Sequence, residues 1–438
     1  MDPVFLARLQ FGFTAGFHFL FPPTTLGLTL VILILESFHL KTGEERYKAL
    51  SAFLVKILAA VFVMGVATGI TLEFAFGNNW SNYSRAVGDV FGAPLAAEGI
   101  FAFFLESIFL AVLVFGRRRV SRGVYWFAAF IVFLSSHLSG LWILIANSWM
   151  QTPAGFRMEG GRAVLTDVFA AAFNPSTVIR FLHTIAAGWV TGSLLAAAAA
   201  AWLILKKKNP EALAPLFRAA IAVFIAASFL QLGLGHLHSV QVARTQPEKM
   251  AAFEGLWETR TAAPFTVFGI PDEKAEKIRL QVAVPGMLSW LIHFDAGAEV
   301  KGLDAFPPEE RPPVFLPFLS YHIMILLGLA FIGLSAWGLF LLLRKKDLRS
   351  RLYLKLLLFA LPLPYLANTL GWISAEVGRQ PWAVYRVLRT ADAASPVVPA
   401  AQILATLILF TVVYSLIAAV GIKILVKIVK KGPGAGEE

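Results

Sequence analysis

The chain contains repeated apolar stretches, each long enough to cross the hydrocarbon core of a bilayer as one helix, which takes about 20 residues. Only 15% of its 438 residues are charged, against about 25% in ordinary soluble domains. The first stretch is too long for the core of a signal peptide, so we expect it to be a membrane span. The pattern predicts an all-α polytopic membrane protein with nine transmembrane helices, at about residues 11–36, 53–76, 94–116, 123–146, 178–205, 216–238, 315–343, 353–376 and 401–428.

The formal net charge of +11 is distributed in clusters between the apolar stretches. These clusters fall in alternate connections, and the positive-inside rule therefore predicts a periplasmic N-terminus and a cytoplasmic C-terminus. Since no continuous basic face is present, nucleic acid is not an expected partner. The clusters are Lys41/Arg46/Lys48, Arg117/Arg118/Arg119/Arg122, Lys206/Lys207/Lys208, Arg344/Lys345/Lys346/Arg349/Arg351 and Lys427/Lys430/Lys431.

One connection, residues 239–314, is long and polar, and loops of this length usually carry a function or are disordered. It divides the chain into a six-helix membrane half (1–238), an outward loop (239–314), a three-helix membrane half (315–428) and a cytoplasmic tail (429–438). No internal repeat is apparent, so a transporter made of two matching halves receives no support.

A short list of polar residues interrupts the apolar stretches, and a charged group near the bilayer centre costs about 2.5–3.5 kcal/mol on insertion scales. By the predicted topology, five candidate ligands lie in the outer halves of five different helices, which indicates a layer of bound cofactor. Because the chain has no cysteine, iron–sulfur clusters and thiolate ligands are excluded. The five are His18, Glu98, His183, Glu376 and Met324; the other intramembrane polar residues are Glu106, His137, His236, His238 and Arg379.

Each of these residues also has a structural interpretation. A lone intramembrane histidine is more often a hydrogen-bonding residue between helices, and methionine is usually packing material. Glu98 and Glu106 lie about two helical turns apart, which suits a proton relay or two unrelated interhelical hydrogen bonds. Glu376 and Arg379 could form a plain ion pair at i,i+3. The two histidines that end the sixth stretch project to different faces and are expected to be structural.

Several segments resemble subunit I of the cytochrome bd quinol oxidase family, and the resemblance covers nearly the whole chain. The long connection resembles the short version of the family's quinol loop. The segments are Arg8-Leu-Gln10 with Gly16-Phe-His18-Phe-Leu-Phe-Pro22, Thr68-Gly69…Glu73-Phe…Gly77-Asn-Asn-Trp80, Ala97-Glu98-Gly99…Phe103-Phe-Leu-Glu106-Ser107, Leu141-Trp-Ile-Leu-Ile-Ala-Asn147-Ser-Trp149-Met-Gln151, and Gly371-Trp372-Ile-Ser-Ala-Glu376-Val-Gly378-Arg379-Gln380-Pro381-Trp382.

The resemblance implies two haem b and one haem d as cofactors. His183 and Met324 match the axial ligands of the low-spin haem b, and a nitrogen with a thioether saturates iron and raises its potential. His18 and Glu376 match the ligands of the two high-spin haems, one b and one d; which ligand belongs to which haem stays open. Glu98 resembles a residue beside, or ligating, the haem d iron.

Further roles follow from the same resemblance. Trp372 and Arg379 match groups that flank the high-spin haems, and Arg379 would offset propionate or carboxylate charge. Glu106, Ser107 and Ser139 resemble members of a proton route toward the oxygen site.

In the loop, the segment 249–259 resembles the family's quinol-oxidation segment, and Lys249 and Glu254 match its functional pair. A carboxylate can accept a quinol hydroxyl proton while a cation steadies the developing anion. Without the resemblance, a solvated amphipathic turn of helix would be the preferred interpretation. One position departs from the family: His322 stands where arginine often precedes the Met324 ligand, and histidine titrates near neutrality whereas arginine does not.

The implied function is that of a quinol:dioxygen oxidoreductase, the large subunit of a terminal oxidase. Quinol, either ubiquinol or menaquinol, would be oxidised at the outer face, and electrons would pass through the low-spin haem to the high-spin pair. Dioxygen would become water with cytoplasmic protons, which generates membrane potential without pumping. A second membrane subunit is expected, and a small single-helix subunit is a further candidate partner, in the inner membrane of a bacterium or archaeon.

Two other functions would use parts of the same pattern. A quinol-linked cytochrome b anchor needs only low-spin haem and would leave Glu376 and Glu98 unexplained. A cation or proton transporter would use the buried carboxylates without haem, and its preparation would be colourless.

Overall fold

The computed structural model describes residues 2–206 and 209–434, and within these ranges the chain forms nine helical spans long and apolar enough to cross a membrane. The predicted fold class is confirmed, while Lys207, Lys208 and the last residues of the predicted tail, 435–438, lie outside the described residues. The spans are Pro3–Thr42, Glu45–Gly77, Ser81–Phe115, Arg122–Gln151, Val168–Leu205, Pro210–Thr245, Phe315–Leu343, Arg351–Val377 and Ala400–Lys431.

The spans and their connections are built from α-helices that we number in chain order. They are α1 Pro3–His18, α2 Phe21–Thr42, α3 Glu45–Gly77, α4 Ser81–Ala97, α5 Phe104–Phe115, α6 Arg122–Gln151, α7 Val168–Ala172, α8 Thr177–Leu205, α9 Pro210–Thr245, α10 Pro247–Glu254, α11 Met287–His293, α12 Phe315–Leu343, α13 Arg351–Ala360, α14 Leu363–Val377, α15 Thr390–Ala393 and α16 Ala400–Lys431.

Short antiparallel hairpins and pairs occur only between the spans within the described ranges. The pairs are β1–β2, β3–β6, β4–β5 and β7–β8. The strands are β1 Phe156–Glu159, β2 Arg162–Leu165, β3 Arg260–Thr261, β4 Phe265–Asp272, β5 Lys277–Val284, β6 Glu299–Val300, β7 Trp382–Val384 and β8 Leu388–Arg389.

The first span is not one continuous helix, as the hydropathy predicted, but two helices that meet directly after His18. Pro22 and Pro23 stand in the first turn of α2. Proline lacks an amide hydrogen, so it is tolerated at the start of a helix but interrupts one that continues through it. The break places His18 at the C-terminal end of α1, within the membrane span.

The third span also departs from a regular helix, because a π-helical turn, Glu98–Phe103, separates α4 from α5. Pro94 lies inside α4, one turn before Glu98. A proline removes one main-chain hydrogen bond and clashes with the preceding turn, which distorts the helix at this point. Single π-helical turns frequently occur at functional sites, and this one begins at a candidate ligand.

Helices α2 and α8 pack closely against each other within the bundle. A Cβ atom added to Gly27 would lie 2.6 Å from the Cα atom of Gly192, so only glycine permits this approach. Small residues at such crossings let helix backbones pack closely in membranes. The α8 span is 78% buried over its most apolar window and α16 only 11%, so α8 is central and α16 is peripheral.

The long connection folds into a compact unit that packs next to the membrane spans. It starts later than predicted because α9 continues to Thr245, which leaves His236 and His238 inside the helix rather than at its end. Helix α10 packs on the start of α12, where Phe253 stacks on Tyr321 at 4.7 Å between ring centroids. Glu273 connects the loop to α12, because its Oε1 accepts hydrogen bonds from the main-chain amides of Val314 and Phe315 at the start of that helix.

Candidate functional site

The Glu376 carboxylate, near the end of α14, is the centre of a polar cluster between helices. Its Oε1 accepts hydrogen bonds from Asn147 Nδ2 and Gln151 Nε2, both at 3.1 Å. Its Oε2 accepts one from Arg379 Nη2, and Arg180 Nη2 lies 3.9 Å from Oε1. Asn147 and Gln151 are one turn apart on α6, so both face the carboxylate. The predicted pair of Glu376 and Arg379 is therefore part of a larger network.

Positive charge exceeds negative charge in this cluster. Within the described ranges, the hydrogen bonds and ion pairs of Arg180, Lys249 and Arg379 reach one carboxylate, that of Glu376. All three cations are buried, and buried charges need compensation. Arg180 Nε and Arg379 Nε find no acceptor among the described residues. The side chain of Glu376 is still 30% accessible, so an opening adjoins the cluster.

Trp372 connects the Glu376 cluster to the break after His18. Its ring meets the edge of the Phe19 ring at 5.1 Å between centroids, and the Arg180 guanidinium lies 5.7 Å from it. Phe19 directly follows His18, so Trp372 lies between the end of α1 and the end of α14. The role of Trp372 beside a high-spin haem stays a prediction.

The His18 ring is oriented by the third helix. Its Nδ1 lies 3.0 Å from Thr68 Oγ1, and that hydroxyl donates its own hydrogen to main-chain carbonyls of α3. The hydroxyl therefore accepts from His18 Nδ1–H, which leaves Nε2 with a lone pair, as a metal ligand requires. A Cβ atom on Gly69 would lie 3.1 Å from the His18 ring, so this glycine leaves the ring space that a side chain would reduce.

His183, on α8, faces α9. The amide nitrogen of Gln231 lies 3.1 and 3.2 Å from its two ring nitrogens, and the ring of His238 meets it edge-on at 5.2 Å. His238 Nε2 is buried and has no hydrogen-bond partner among the described residues. His236 packs on Phe294 of α11 instead, so the two histidines face different neighbours, and their structural role stays a prediction.

Met324, on α12, faces α14. A Cβ atom on Gly371 would lie 3.1 Å from Met324 Sδ, so the thioether occupies space that glycine leaves. Helices α8 and α12 both pack against α9, so the helices that carry His183 and Met324 share this neighbour. The structure thus does not gather all candidate ligands in one contact: His18, His183 and Met324 each adjoin a different helix, and only Glu376 lies in the polar cluster.

Three carboxylates lie near one another on the second and third spans: Glu73 on the second, and Glu98 and Glu106 on the third. Ser139 Oγ donates a 2.7 Å hydrogen bond to Glu98 Oε1, and Glu98 interacts electrostatically with both Glu73 and Glu106. Ser107 Oγ donates instead to a carbonyl of its own helix. Two α-helical turns take about 7.2 residues, and the wider π-helical turn absorbs the excess in the spacing of eight. Glu98 and Glu106 therefore share a side of the span.

Lys249 is buried in the cluster rather than solvated. Its Nζ donates to Gln151 Oε1 and, at 2.6 Å, to Gln246 Oε1. Burial lowers the pKa of Lys249 well below its usual value, and the charge of Arg180 lowers it further. Because α10 is buried from Glu248 through Glu254, the interpretation of this segment as a solvated turn is wrong.

Glu254, at the end of α10, lies apart from the cluster and beside α12. Its side chain is 1% exposed, and neither carboxylate oxygen has a hydrogen-bond partner among the described residues. His322 Nε2 lies 3.9 Å from Oε2, so the residue that departs from the family faces the predicted quinol carboxylate. Burial raises the pKa of Glu254 to about 8, although the Thr266 main chain partly opposes this.

Sequence reasoning missed four residues of these sites, Arg180, Asn147, Gln151 and Glu73. Arg180 had a signal, since it is a charged residue inside a predicted span. Asn147, Gln151 and Glu73 stood inside motifs but received no role, and their partners lie on other helices.

Such a bundle, with ligand-type side chains beside glycines and an excess of buried cations, defines a polytopic membrane protein that binds redox cofactors between its helices. Comparison with known proteins is specific. The sequence profile of the family described as "Cytochrome bd terminal oxidase subunit I" matches residues 6–433. The chain belongs to this family, and the predicted resemblance is confirmed.

Individual relatives match over their whole length. "Cytochrome bd ubiquinol oxidase subunit 1" of Bacillus subtilis (strain 168) is 39% identical, covering 99% of this chain and 94% of the relative. "Cytochrome bd-II ubiquinol oxidase subunit 1" of Escherichia coli (strain K12) is 33% identical, covering 99% and 98%. The solved bd oxidase from Geobacillus thermodenitrificans superposes with a TM-score of 0.92 at 28% identity, covering 99% of both chains. The chain is thus a haem-containing oxidoreductase subunit of a bacterial type, embedded in the membrane by several spans.

Proposed function

We propose that this chain is the large subunit of an electrogenic quinol:dioxygen oxidoreductase, which oxidises quinol at the outer face and reduces dioxygen to water with cytoplasmic protons. The observation that carries the proposal is the Glu376 cluster, in which a potential iron ligand lies among more cations than it can neutralise. Family membership supplies the activity class, and the cluster suggests where its chemistry takes place.

The residues present fit haem. Each haem carries two propionate carboxylates, and the unpartnered guanidinium nitrogens of Arg180 and Arg379 are suitable donors for them. The His18 tautomer fixed by Thr68 presents Nε2 to a metal. Buried cations without a neutralising partner are costly. A bound anion therefore explains their presence better than a site that holds no cofactor.

In this proposal His183 and Met324 would hold a low-spin haem b, His18 and Glu376 would hold the high-spin haem b and haem d, and Glu98 would flank or ligate the haem d. When bound, these haems supply electron transfer and the reduction of dioxygen. Trp372 and the Arg379 side chain orient the high-spin ligands.

Quinol oxidation is assigned to the loop. The ionised Glu254 carboxylate takes a hydroxyl proton, since both of its oxygens are without hydrogen-bond partners in the described structure and His322 lies on its other side. Lys249 stabilises negative charge through the polar cluster. Neither ubiquinol nor menaquinol is favoured by these contacts.

The proton route for water formation uses Glu106 and Glu98, with Ser107 and Ser139 beside them. Ser139 already donates to Glu98, and the π-helical turn aligns the two carboxylates along one side of the third span. With the N-terminus outside and the C-terminus in the cytoplasm, as the basic clusters indicate, the route leads from the cytoplasm to the haems. Proton uptake on one side then generates membrane potential without pumping.

We expect a second membrane subunit of the cytochrome bd subunit II type, and a small single-helix subunit as an additional partner. A quinol-linked cytochrome b anchor remains the alternative function, but it has no use for Glu98 or for the Glu376 cluster.

The test is a purified complex, expressed with its second subunit, with and without Glu376→Ala. We expect oxygen consumption with a short-chain quinol, and a far-red chlorin band in the reduced-minus-oxidised spectrum that Glu376→Ala diminishes. A wild-type complex that consumes no oxygen with either ubiquinol or menaquinol, or a Glu376→Ala complex with its full high-spin absorbance, contradicts the proposal.

A further inference from the structure

A single side chain joins the loop helix α10 to the Glu376 carboxylate. Gln151, the last residue of α6, accepts a hydrogen bond from Lys249 Nζ with its Oε1 and donates one of 3.1 Å to Glu376 Oε1 with its Nε2. Gln151 is 1% exposed, so no water competes for either contact. The ammonium, the amide and the carboxylate therefore form one continuous hydrogen-bonded line.

The orientation of this amide is determined by its two neighbours. A carboxamide has an acceptor oxygen on one side and a donor nitrogen on the other. The ammonium of Lys249 offers only donors and the carboxylate of Glu376 only acceptors, so a rotated amide would lose both hydrogen bonds. Both bonds involve a charged group, and such bonds are roughly twice as strong as neutral ones. A displacement of Lys249 is thus transmitted to the carboxylate.

A second contact holds α10 in register with this line. Glu248 Oε1 accepts a 2.6 Å hydrogen bond from the Tyr385 hydroxyl, and the Tyr385 amide donates to the carbonyl of Met150 at 2.9 Å. Met150 directly precedes Gln151, and Tyr385 lies in the turn between β7 and β8, after the Glu376 helix. The start of α10 is therefore also connected, through Tyr385, to the end of α6 where Gln151 lies.

We infer that Gln151 is a positioning residue that couples the quinol-oxidation segment to the high-spin haem site, an inference that rests on the roles proposed above for Lys249 and Glu376. Two hydrogen bonds of the Lys249 ammonium are directed into the protein, one of them at Gln151. A quinol headgroup that draws on this ammonium changes the hydrogen bond received by Gln151, and through it the bond that Gln151 donates to Glu376.

The chain offers a matched control, because Lys249 donates to two glutamines. Gln246 accepts from Lys249 as Gln151 does, but the hydrogen bonds described for it do not include Glu376. The variants Gln151→Leu and Gln246→Leu therefore remove the same type of bond from Lys249, and only the first also removes a donor from the carboxylate. Lys249→Met is introduced into the wild-type chain and into each of the two glutamine variants.

The measurement is the absorbance spectrum and the extracted haem content of the full complex, reduced and oxidised. We expect Gln151→Leu to shift the high-spin absorbance and to weaken retention of the high-spin haem about 10- to 100-fold, the range for lost outer-shell hydrogen bonds. The low-spin absorbance should stay unchanged. Gln246→Leu should leave the high-spin absorbance unchanged. Lys249→Met should shift it in the wild-type background and have no further effect in Gln151→Leu.

Three results would overturn the inference: an unchanged high-spin absorbance in Gln151→Leu, equal shifts from the two glutamine variants, or an equal effect of Lys249→Met in both backgrounds. If Gln151→Leu also loses the low-spin absorbance, Gln151→Met replaces it, because this variant keeps the length of the side chain but lacks both the acceptor for Lys249 and the donor to Glu376, and the same shift is expected. A wild-type complex without high-spin absorbance refutes the proposed function instead.

Discussion

Replacement of Glu376 by glutamine removes the one carboxylate that three buried cations reach in the described part of the chain. A glutamine oxygen can still accept from Asn147 and Gln151, but its amide nitrogen then faces the donor of Arg379. Breaking a buried ion pair in this way costs about 3–5 kcal/mol. Since the Glu376 side chain is 30% accessible, we expect the lower end, about 3 kcal/mol, which is roughly a 150-fold change in the unfolding equilibrium.

Glu36 provides a control for loss of stability alone. Its carboxylate is 1% exposed and pairs with Arg117 at 2.7 Å. Glu36 lies roughly 25 Å along α2 from the break next to His18, at 1.5 Å per residue. Glu36→Gln should therefore cost a similar free energy of unfolding without any change in the haem site.

The assay follows unfolding of the complex in denaturing detergent by circular dichroism, and haem content by absorbance before unfolding. We expect both variants to unfold at lower detergent concentration, and only Glu376→Gln to lose high-spin absorbance. If Glu36→Gln loses as much high-spin absorbance as Glu376→Gln, the cluster has no special relation to haem. If Glu376→Gln is as stable as wild type, the charge argument is wrong.

Other substitutions test the remaining parts. Burial raises the pKa of Glu254 to about 8, so its carboxyl group is mostly protonated at pH 7. The rate of quinol oxidation should therefore rise as the pH increases through about 8, and this rise should disappear in Glu254→Gln. Steady-state rates from pH 6 to 9 measure this, and a rise that persists in the variant contradicts it. Gly371→Ala places a methyl group 3.1 Å from Met324 Sδ, tighter than ordinary contact, so the low-spin absorbance should shift while the high-spin absorbance stays; an unchanged low-spin spectrum argues against Met324 as ligand. Arg180→Leu removes a cation that has an unpartnered nitrogen, and haem extraction should show reduced retention of high-spin haem; full retention means that Arg180 holds no propionate.

The nine spans were predictable because hydropathy measures the length of each apolar stretch, which fixes how many helices can cross a bilayer. The break after His18 was not predictable from hydropathy, because hydropathy carries no information on where main-chain hydrogen bonding is interrupted. Pro22 and Pro23 carried the signal, because two adjacent prolines belong at a helix start. The position of the termini relative to the membrane stays a prediction.

The site was predictable as a set of residue types, since His, Met and Glu in apolar helices are costly and need a reason. Its contacts were not. Lys249 and Gln151 are far apart in sequence, and nothing local indicates that α10 is buried on all sides. The His183 side chain likewise meets Gln231 and His238 only through the packing of α8 on α9. Tertiary packing decides which polar groups meet, and these contacts could not be predicted from the sequence alone.

The π-helical turn at Glu98–Phe103 accommodates more residues between Glu98 and Glu106 than two α-helical turns would hold. If this segment were regular α-helix with all of its residues kept, the eight residues from Glu98 to Glu106 would cover about 800°, which is about 80° past two full turns. Glu106 would then turn away from the side of the span that Glu98 occupies, although both side chains are retained. Deletion of one residue from the turn would give a spacing of seven, close to two α-helical turns, and would keep the two acids on one side without the π-helical turn. The geometry of this carboxylate pair thus depends on how the backbone accommodates one surplus residue, and not only on the acids themselves.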